Sequence, residues 1–415
     1  MDKNSFRPIS SERKGEKEQL RKSLTYWQDV WRRLRKNRLA IVGLISVVLV
    51  VLFAFIGPLL SPYSYDKQFR DYKNVPPRLE IYRLDDDLYV FVSGMLDLIH
   101  VSEDGHILGR FTDREDDLID RTYTYHLYDD EGNDIATVTV DFSYQTDPTK
   151  ADENLEYSLI YEGEEYKESH DTVWNRTFWF GTDLNGRDLL ARVMYGARVS
   201  LIIAFFAAII NFFIGVVYGS ISGFFGRNAD LVMMRIVDII NSIPLLLYVI
   251  LLMVVLKDSW FEVNVLDRIF GPGGLGTIIL TLISVYWVVM ARLVRGQILG
   301  LKEQEYVLAA RSMGVSNRKI ITKHLIPNTL GPIIVSLAMM IPAAVFTEAF
   351  LSFIGLGISA PRASLGSLAS DGAQFMQTYP YQLLIPSLII AFMMLAFNFL
   401  GDGLRDALDP RLRKG

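Results

Sequence analysis

The chain has 415 residues, of which 50% are hydrophobic, a formal charge of -5 and no cysteine. Soluble domains are also about half apolar, so the totals exclude no fold class. The missing cysteines exclude a disulfide framework, thiolate catalysis and cysteine-based metal sites. Distribution is what separates the classes. Residues 1–38 hold 12 Lys/Arg, residues 62–180 hold 28 Asp/Glu against 11 Lys/Arg, and most of the remainder is long apolar runs. Two unlike aqueous regions divided by apolar segments suggest a membrane between them.

The basic segment 1–38 leads into an uncharged run over 39–60. About 20 apolar residues cross the ~30 Å hydrocarbon layer, so this run is long enough. It exceeds the ~7–15-residue apolar stretch of a secretory signal and no A-x-A-like site follows, so 39–61 reads as a retained span. The acidic segment 62–180 opens on Pro62, Pro76 and Pro77, which disfavour helix. Strand-like stretches follow: Leu88-Tyr-Val-Phe-Val92, Thr122-Tyr-Thr-Tyr-His-Leu-Tyr128 and Ile135-Ala-Thr-Val-Thr-Val-Asp-Phe142. Asp130-Glu-Gly-Asn133 is turn chemistry between the last two and predicts a hairpin. A further strand over 157–161 precedes another turn, Glu162-Gly-Glu164. The segment is expected to fold as a small β-rich domain whose charge either steers a basic partner or keeps it soluble. His100, His106, His126 and His170 are scattered, without metal-ligand spacing.

Residues 181–415 carry five more candidate spans, at 199–225, 236–256, 275–291, 330–351 and 381–400, six in all. Core helices of a soluble protein would show polar stripes at helical spacing, and these runs lack them. Orientation follows from Lys/Arg in short loops. The loop 292–324 has seven and the C-terminal tail four, whereas 257–274 has two and 358–380 one. Both termini and the 292–330 loop are therefore expected in the cytoplasm and 62–180 outside. Arg187, Arg192 and Arg198 run against the rule.

Charged groups inside spans are costly and usually paired or functional. Arg235 and Asp238 are three apart, on one helix face, which predicts an intrahelical pair. Glu348 either lines a water-filled path or caps a helix. Asp402 and Arg405 repeat the i, i+3 spacing. Pro244, Pro342 and Pro386 are expected to bend their helices. There is no G-x-x-x-x-G-K-[ST] phosphate loop, and the Gly-rich Gly271-Pro-Gly-Gly-Leu-Gly276 lies on the outer side.

The segment 303–328 reads as helix, break and second helix. Gly314 can take the left-handed position that closes a helix, Ser316 is a good N-cap, and Pro327 is expected to end the second helix. Ala309 and Ala310 are small, as suits close approach of another backbone. A solvated amphipathic linker would share this composition. Spacing of Ala309, Ala310, Gly314 and Pro327 resembles the EAA loop of ABC importer permeases, although Leu308 stands where that family usually has Glu. His324 resembles the oligopeptide and dipeptide branch. Arg32-Arg-Leu-Arg-Lys-Asn-Arg-Leu-Ala-Ile-Val-Gly43, Phe180-Gly-Thr-Asp-Leu-Asn-Gly-Arg-Asp188, Tyr195-Gly-Ala-Arg-Val-Ser-Leu201, Leu351-Ser-Phe-Ile-Gly-Leu-Gly357 and Asn398-Phe-Leu-Gly-Asp-Gly-Leu-Arg-Asp-Ala-Leu-Asp-Pro-Arg411 are similar to the C-subunit type of that branch.

The resemblance covers about 25–60 and 178–415. It implies an all-α polytopic membrane protein with six transmembrane helices of the type I ABC importer fold, carrying the β-rich insert between helices 1 and 2. It implies no enzyme activity and no cofactor in this chain, with ATP-Mg held by two cytoplasmic ATPase subunits against which Ala309 and Ala310 would sit. The other implied partners are a second permease subunit, an extracytoplasmic peptide-binding protein and membrane lipid, with no nucleic acid. Cargo would be short peptides, with dipeptide or nickel import the near alternative. A self-sufficient secondary transporter would show inverted repeats or mid-membrane ionisable groups. A membrane-anchored receptor would leave five spans idle.

Overall fold

The computed structural model describes residues 25–128, 134–145 and 155–408. Helix α1 (Tyr26–Lys36) stops at Asn37, whose extended backbone breaks the helix. The Asn37 side chain then accepts the Ala40 N–H at 3.2 Å and starts α2 (Arg38–Phe55), so the same residue ends one helix and caps the next. A short turn, α3 (Gly57–Leu60), closes the first span.

Ten strands then form two antiparallel sheets. The first has the order β10-β1-β2-β3-β4, from β1 (Arg78–Arg83), β2 (Tyr89–Val92), β3 (Leu98–Val101), β4 (Ile107–Arg110) and the returning β10 (Asp171–Trp174). The second runs β5-β6-β7-β8-β9, from β5 (Arg114–Asp117), β6 (Thr122–Tyr128), β7 (Asp134–Asp141), β8 (Ser158–Tyr161) and β9 (Glu164–Tyr166). β6 and β7 pair antiparallel, Thr122 opposite Asp141, as the hairpin expectation requires; its turn, 130–133, lies outside the described residues. The apolar run in β2 is buried on both faces. Val90 and Val92 pack with Leu98, Tyr125, Val138, Val140 and Leu159 between the sheets, while Phe91 joins Leu79, Ile81 and Ile99 on the other side. The edge strand β5 reads Arg-Glu-Asp-Asp and shows no apolar alternation, because an edge is kept from pairing further by charge.

The membrane part is helical. Five helices among the described residues are long and apolar enough to span: α2, α4 (Leu189–Phe225), α8 (Leu275–Leu301), the run Asn317–Phe353 containing α11 (Ile326–Phe353), and α13 (Tyr381–Leu408). A sixth span is a broken pair, α5 (Arg227–Ser242) and α6 (Leu245–Leu256), bent by 84°. The expected continuous span over 236–256 is thus interrupted at Ile243-Pro244, since proline lacks the N–H that a continuing helix needs and restricts the residue before it. Pro342 and Pro386 lie inside unbroken α11 and α13. The short α7 (Asp267–Phe270) and α12 (Leu365–Ala373) sit at the end of the bundle that carries the sheets.

Glycine spacing sets the closest helix pair. A Cβ on Gly215, Gly219 or Gly223 of α4 would lie 2.5 Å from Met290 Cβ, 2.3 Å from the Ala291 carbonyl oxygen and 3.0 Å from the Arg295 carbonyl oxygen of α8. Three glycines at i, i+4 and i+8 therefore form one face on which the two backbones touch. The sheets are fixed to the bundle through Thr182: its hydroxyl takes the Val75 N–H at 2.9 Å and donates to the Tyr72 carbonyl at 2.6 Å, while its carbonyl accepts from Tyr381 Oη at 2.8 Å.

Candidate coupling loop and intramembrane polar groups

At the opposite end of the bundle from the sheets, α8 runs into α9 (Glu305–Ser312), a turn, and α10 (Asn317–Lys319). Gly314 adopts φ +74°, and nothing lies within 4 Å of where its Cβ would be. The turn therefore needs glycine for conformation, not for space. Its N–H bonds the Arg311 carbonyl at 2.9 Å and the Val315 N–H bonds the Ala310 carbonyl at 3.1 Å, closing α9. Ser316 occupies the N-cap position of α10 with extended backbone; its carbonyl, not its side chain, takes the Ile320 N–H.

Pro327 does not end the second helix as expected. The chain passes from α10 through a π-helical turn, Ile320–Leu325, directly into α11, with Pro327 in the first turn of that helix. A wide i→i+5 turn relieves the i→i−4 bond that proline cannot make, and the first helical turn is where proline is tolerated. The Asn328 side-chain amide donates to the His324 carbonyl at 2.6 Å, satisfying an acceptor in this stretch. The loop is consequently one piece with the fifth span.

The two alanines part company. Ala310 is buried with Val307, Ile320, Leu325, Ile298 and Phe224 in the chain's own core, whereas Ala309 is exposed. Adjacent helical residues lie about 100° apart, so one faces in and the other out. The outward face of the element mixes apolar and polar side chains: Tyr306, Leu308 and Met313 are 41%, 44% and 75% exposed, and Glu305, Ala309, Arg311 and Ser312 are exposed beside them. Sequence reading had no means of picking Tyr306 and Met313, because exposure depends on which face the preceding span turns inward. Arg311 lies over the Phe224 ring at 5.0 Å, holding α9 against the end of α4.

A second anchor escaped the sequence altogether. Asp230 of α5 accepts from Arg295 Nε and Nη2 of α8, at 2.5 and 2.6 Å, and from the Ser222 hydroxyl of α4 at 2.5 Å. This bidentate pair fixes three helices where the bent span begins. Asp238 pairs not with Arg235 but with Arg292 of α8, at 2.8 Å. Helical spacing offered Arg235; packing supplied a nearer cation. Asp402 is exposed at the loop end of α13, where Asp406, one turn further on, accepts from the Asn37 side-chain amide at 3.1 Å.

Glu348 neither lines an open path nor caps a helix. It is fully buried, and its two oxygens accept from Ser200 of α4 at 2.6 Å and Ser352 of α11 at 2.7 Å. Ser364, the N-cap of α12, reaches Ser352 at 3.2 Å. One carboxyl thus joins α4, α11 and α12 through serines. The arginines that violate the loop-charge rule also have local partners. Arg187 pairs with Asp183 at 2.8 Å, and buried Arg192 pairs with the same carboxylate. Arg198 donates to the Ala54 and Phe55 carbonyls at 3.1 and 3.2 Å, capping the open end of α2. No cluster of three or more His, Asp or Glu with metal-binding geometry occurs among the described residues.

Six apolar helical segments, an aqueous β-domain at one end and an exposed helix–turn–helix continuous with a span at the other define a multi-pass membrane protein built around its bundle. Residues 215–414 match the model for the binding-protein-dependent transport system inner membrane component, and residues 25–77 match the N-terminal TM domain of oligopeptide transport permease C. The oligopeptide transport system permease protein OppC of Bacillus subtilis is 35% identical over 412 residues, covering 99% of this chain and 98% of that protein. The dipeptide transport system permease protein DppC of the same organism is 37% identical, covering 95% and 88%. A chain of the MetNI methionine ABC transporter matches 52% of this chain and 96% of its own at 19% identity and a TM-score of 0.41. The chain belongs to the oligopeptide and dipeptide branch of the ABC importer permeases, C-subunit type, a family of non-catalytic transport subunits.

Proposed function

We propose that this chain forms half of the transmembrane path of an ATP-driven importer for short peptides, with residues 303–328 as its contact to a cytoplasmic ATPase subunit. The observation that carries the reading is similarity at 35–37% identity, over nearly the whole chain, to permeases named for oligopeptides and dipeptides. Geometry adds a reason for the contact. Tyr306, Leu308, Ala309 and Met313 are exposed in this chain, among the polar Glu305, Arg311 and Ser312, on an element joined directly to α11. Motion of a subunit docked there passes to the spans without a flexible linker. ATP-Mg and its hydrolysis belong to two ATPase subunits, and a second permease subunit completes the path. The loop end of the bundle and both termini face the cytoplasm; the β-rich domain faces outside, toward a peptide-binding protein or the second permease.

Affinity purification in mild detergent, followed by peptide uptake in vesicles, tests the reading. ATPase and second-permease subunits should accompany the chain, and uptake of short peptides should depend on ATP. Ala309→Trp should reduce ATPase co-purification with the chain still folded, whereas Ala310→Trp should destabilise the chain itself by about 1–3 kcal/mol through overpacking. Gly314→Val, which puts a β-branched residue at φ +74°, should impair both loop geometry and uptake. Normal ATPase binding and uptake by Ala309→Trp and Gly314→Val would leave the segment a mere linker.

A further inference from the structure

Helix α1 carries Trp27, Val30, Trp31 and Leu34 on one sector, with Arg32, Arg35 and Lys36 on the rest and Asp29 the sole acid. That apolar sector divides by exposure. Val30 and Leu34 are 8% and 4% exposed and pack with Ala40 of α2 and Ala407 and Leu408 of α13, whereas Trp27 and Trp31 are 55% and 45% exposed. Trp27 and Trp31 are one turn apart, and Arg35 lies over the Trp31 ring at 4.9 Å. Asp29 is engaged by Arg33 at 2.8 Å, so the acid does not offset the flanking cations Arg32, Arg35, Lys36 and Arg38. Asn37 keeps α1 from continuing as part of the first span.

We propose that α1 is an interfacial helix that seats on the anionic phospholipid leaflet beside the loop end of the bundle, with Trp27 and Trp31 at headgroup level and Arg32, Arg35 and Lys36 on lipid phosphates. The occupant follows from charge and side-chain type. Amphipathic indole rings favour the boundary between hydrocarbon and water, and clustered Arg/Lys next to a span is attracted to acidic headgroups. An ATPase or second permease would find a face joining two exposed tryptophans to a row of cations, directly before an uncharged span that must itself lie in lipid. The seat also has a mechanical consequence. A Cβ on Gly403 of α13 would lie 2.2 Å from Ala40 Cβ, and one on Gly43 of α2 would lie 2.5 Å from the Leu400 nitrogen, so α1, α2 and α13 hold together as one unit. Lipid contact at α1 thereby fixes the loop end of the last span relative to the membrane surface. Placement on the cytoplasmic leaflet rests on the orientation proposed above.

The absence of cysteine makes the test clean. Single-cysteine variants of the full chain (Trp27→Cys, Trp31→Cys, Arg32→Cys and Lys36→Cys) are labelled with a nitroxide. They are reconstituted, with the subunits that accompany the chain, in vesicles of phosphatidylglycerol and phosphatidylethanolamine. Labels at 27 and 31 should favour oxygen over a nickel chelate, and labels at 32 and 36 the chelate. Replacing phosphatidylglycerol by phosphatidylcholine, or changing Arg32, Arg35 and Lys36 to Gln in the Trp31→Cys chain, should erase that oxygen preference. Labels at 27 and 31 shielded from both agents would mean a protein partner covers the face, and labels as open to chelate as 32 and 36 would mean water does; either overturns the proposal. A membrane-impermeant thiol reagent separates the orientation. Modification of Arg32→Cys only from outside, with the oxygen preference intact, removes the cytoplasmic assignment and leaves the interfacial helix standing.

Discussion

The β-rich domain and the helix bundle bury comparable apolar side chains in opposite ways. In the sheets, large residues interdigitate: Leu79, Ile81, Leu98, Ile99 and Leu159 are almost wholly buried, and water drives them together. In the bundle the closest pair meets where side chains are absent, on Gly215, Gly219 and Gly223, while Phe205, Phe213, Val217 and Leu388 stay exposed. Between helices in lipid there is little hydrophobic drive, so close backbone approach and polar contacts take its place. One chain therefore contains two packing regimes, and the same kind of substitution should act differently in each.

The largest effect should come from filling the glycine face. Gly219→Leu places carbon against the Ala291 carbonyl, which is backbone and cannot rotate away. We expect loss of the folded bundle in mild detergent, read by size-exclusion chromatography; a monodisperse, stable variant would mean the α4–α8 approach is not essential. Leu98→Ala should cost about 2–5 kcal/mol, as for a large core residue. Because Leu98 packs among strand residues, the loss should be local. Protease sensitivity should rise in 78–174 and not in the bundle, and joint unfolding of both would deny that the two regimes are separable.

A smaller effect is expected at Glu348, where removing the carboxyl leaves two buried serine hydroxyls without their acceptor. Glu348→Ala should cost about 1–3 kcal/mol in detergent melting, and Glu348→Gln, which retains an acceptor, clearly less. Equal losses would show that charge, not hydrogen bonding, matters there. The smallest concerns Asp188, which caps α4 by accepting the Ala191 N–H at 2.8 Å and whose carboxyl burial pushes up to about 6. A carboxyl raised in the folded state favours folding at low pH, so its contribution should fade as pH rises from about 4 through about 6. Asp188→Asn can keep the cap and should flatten that slope in a melting series; an unchanged slope would assign it to another group.

Much of this fold was legible because its signals are local. Uncharged runs of spanning length announce helices, β-branched and aromatic stretches announced β2, β6, β7 and β8, and a glycine between two short helical patterns marked the turn at Gly314. Missed elements lacked such signals: β5 is wholly charged, and β1, β3, β4, β9 and β10 are short pieces whose pattern emerges only once paired. The candidate loop was legible as a place, through its spacing, but not as a surface.

What the sequence determined by itself is whatever depends on neighbours along the chain: span length against bilayer thickness, a change of direction at Pro244, and the left-handed turn at Gly314. Tertiary structure alone decided partners and faces. Asp238 goes to Arg292 instead of Arg235, Glu348 joins three helices, Ala310 turns inward as Ala309 turns out, and Pro327 continues a helix it was expected to end. Backbone propensity acts over a few residues, whereas burial and ion pairing are settled by which surfaces meet after the spans have packed.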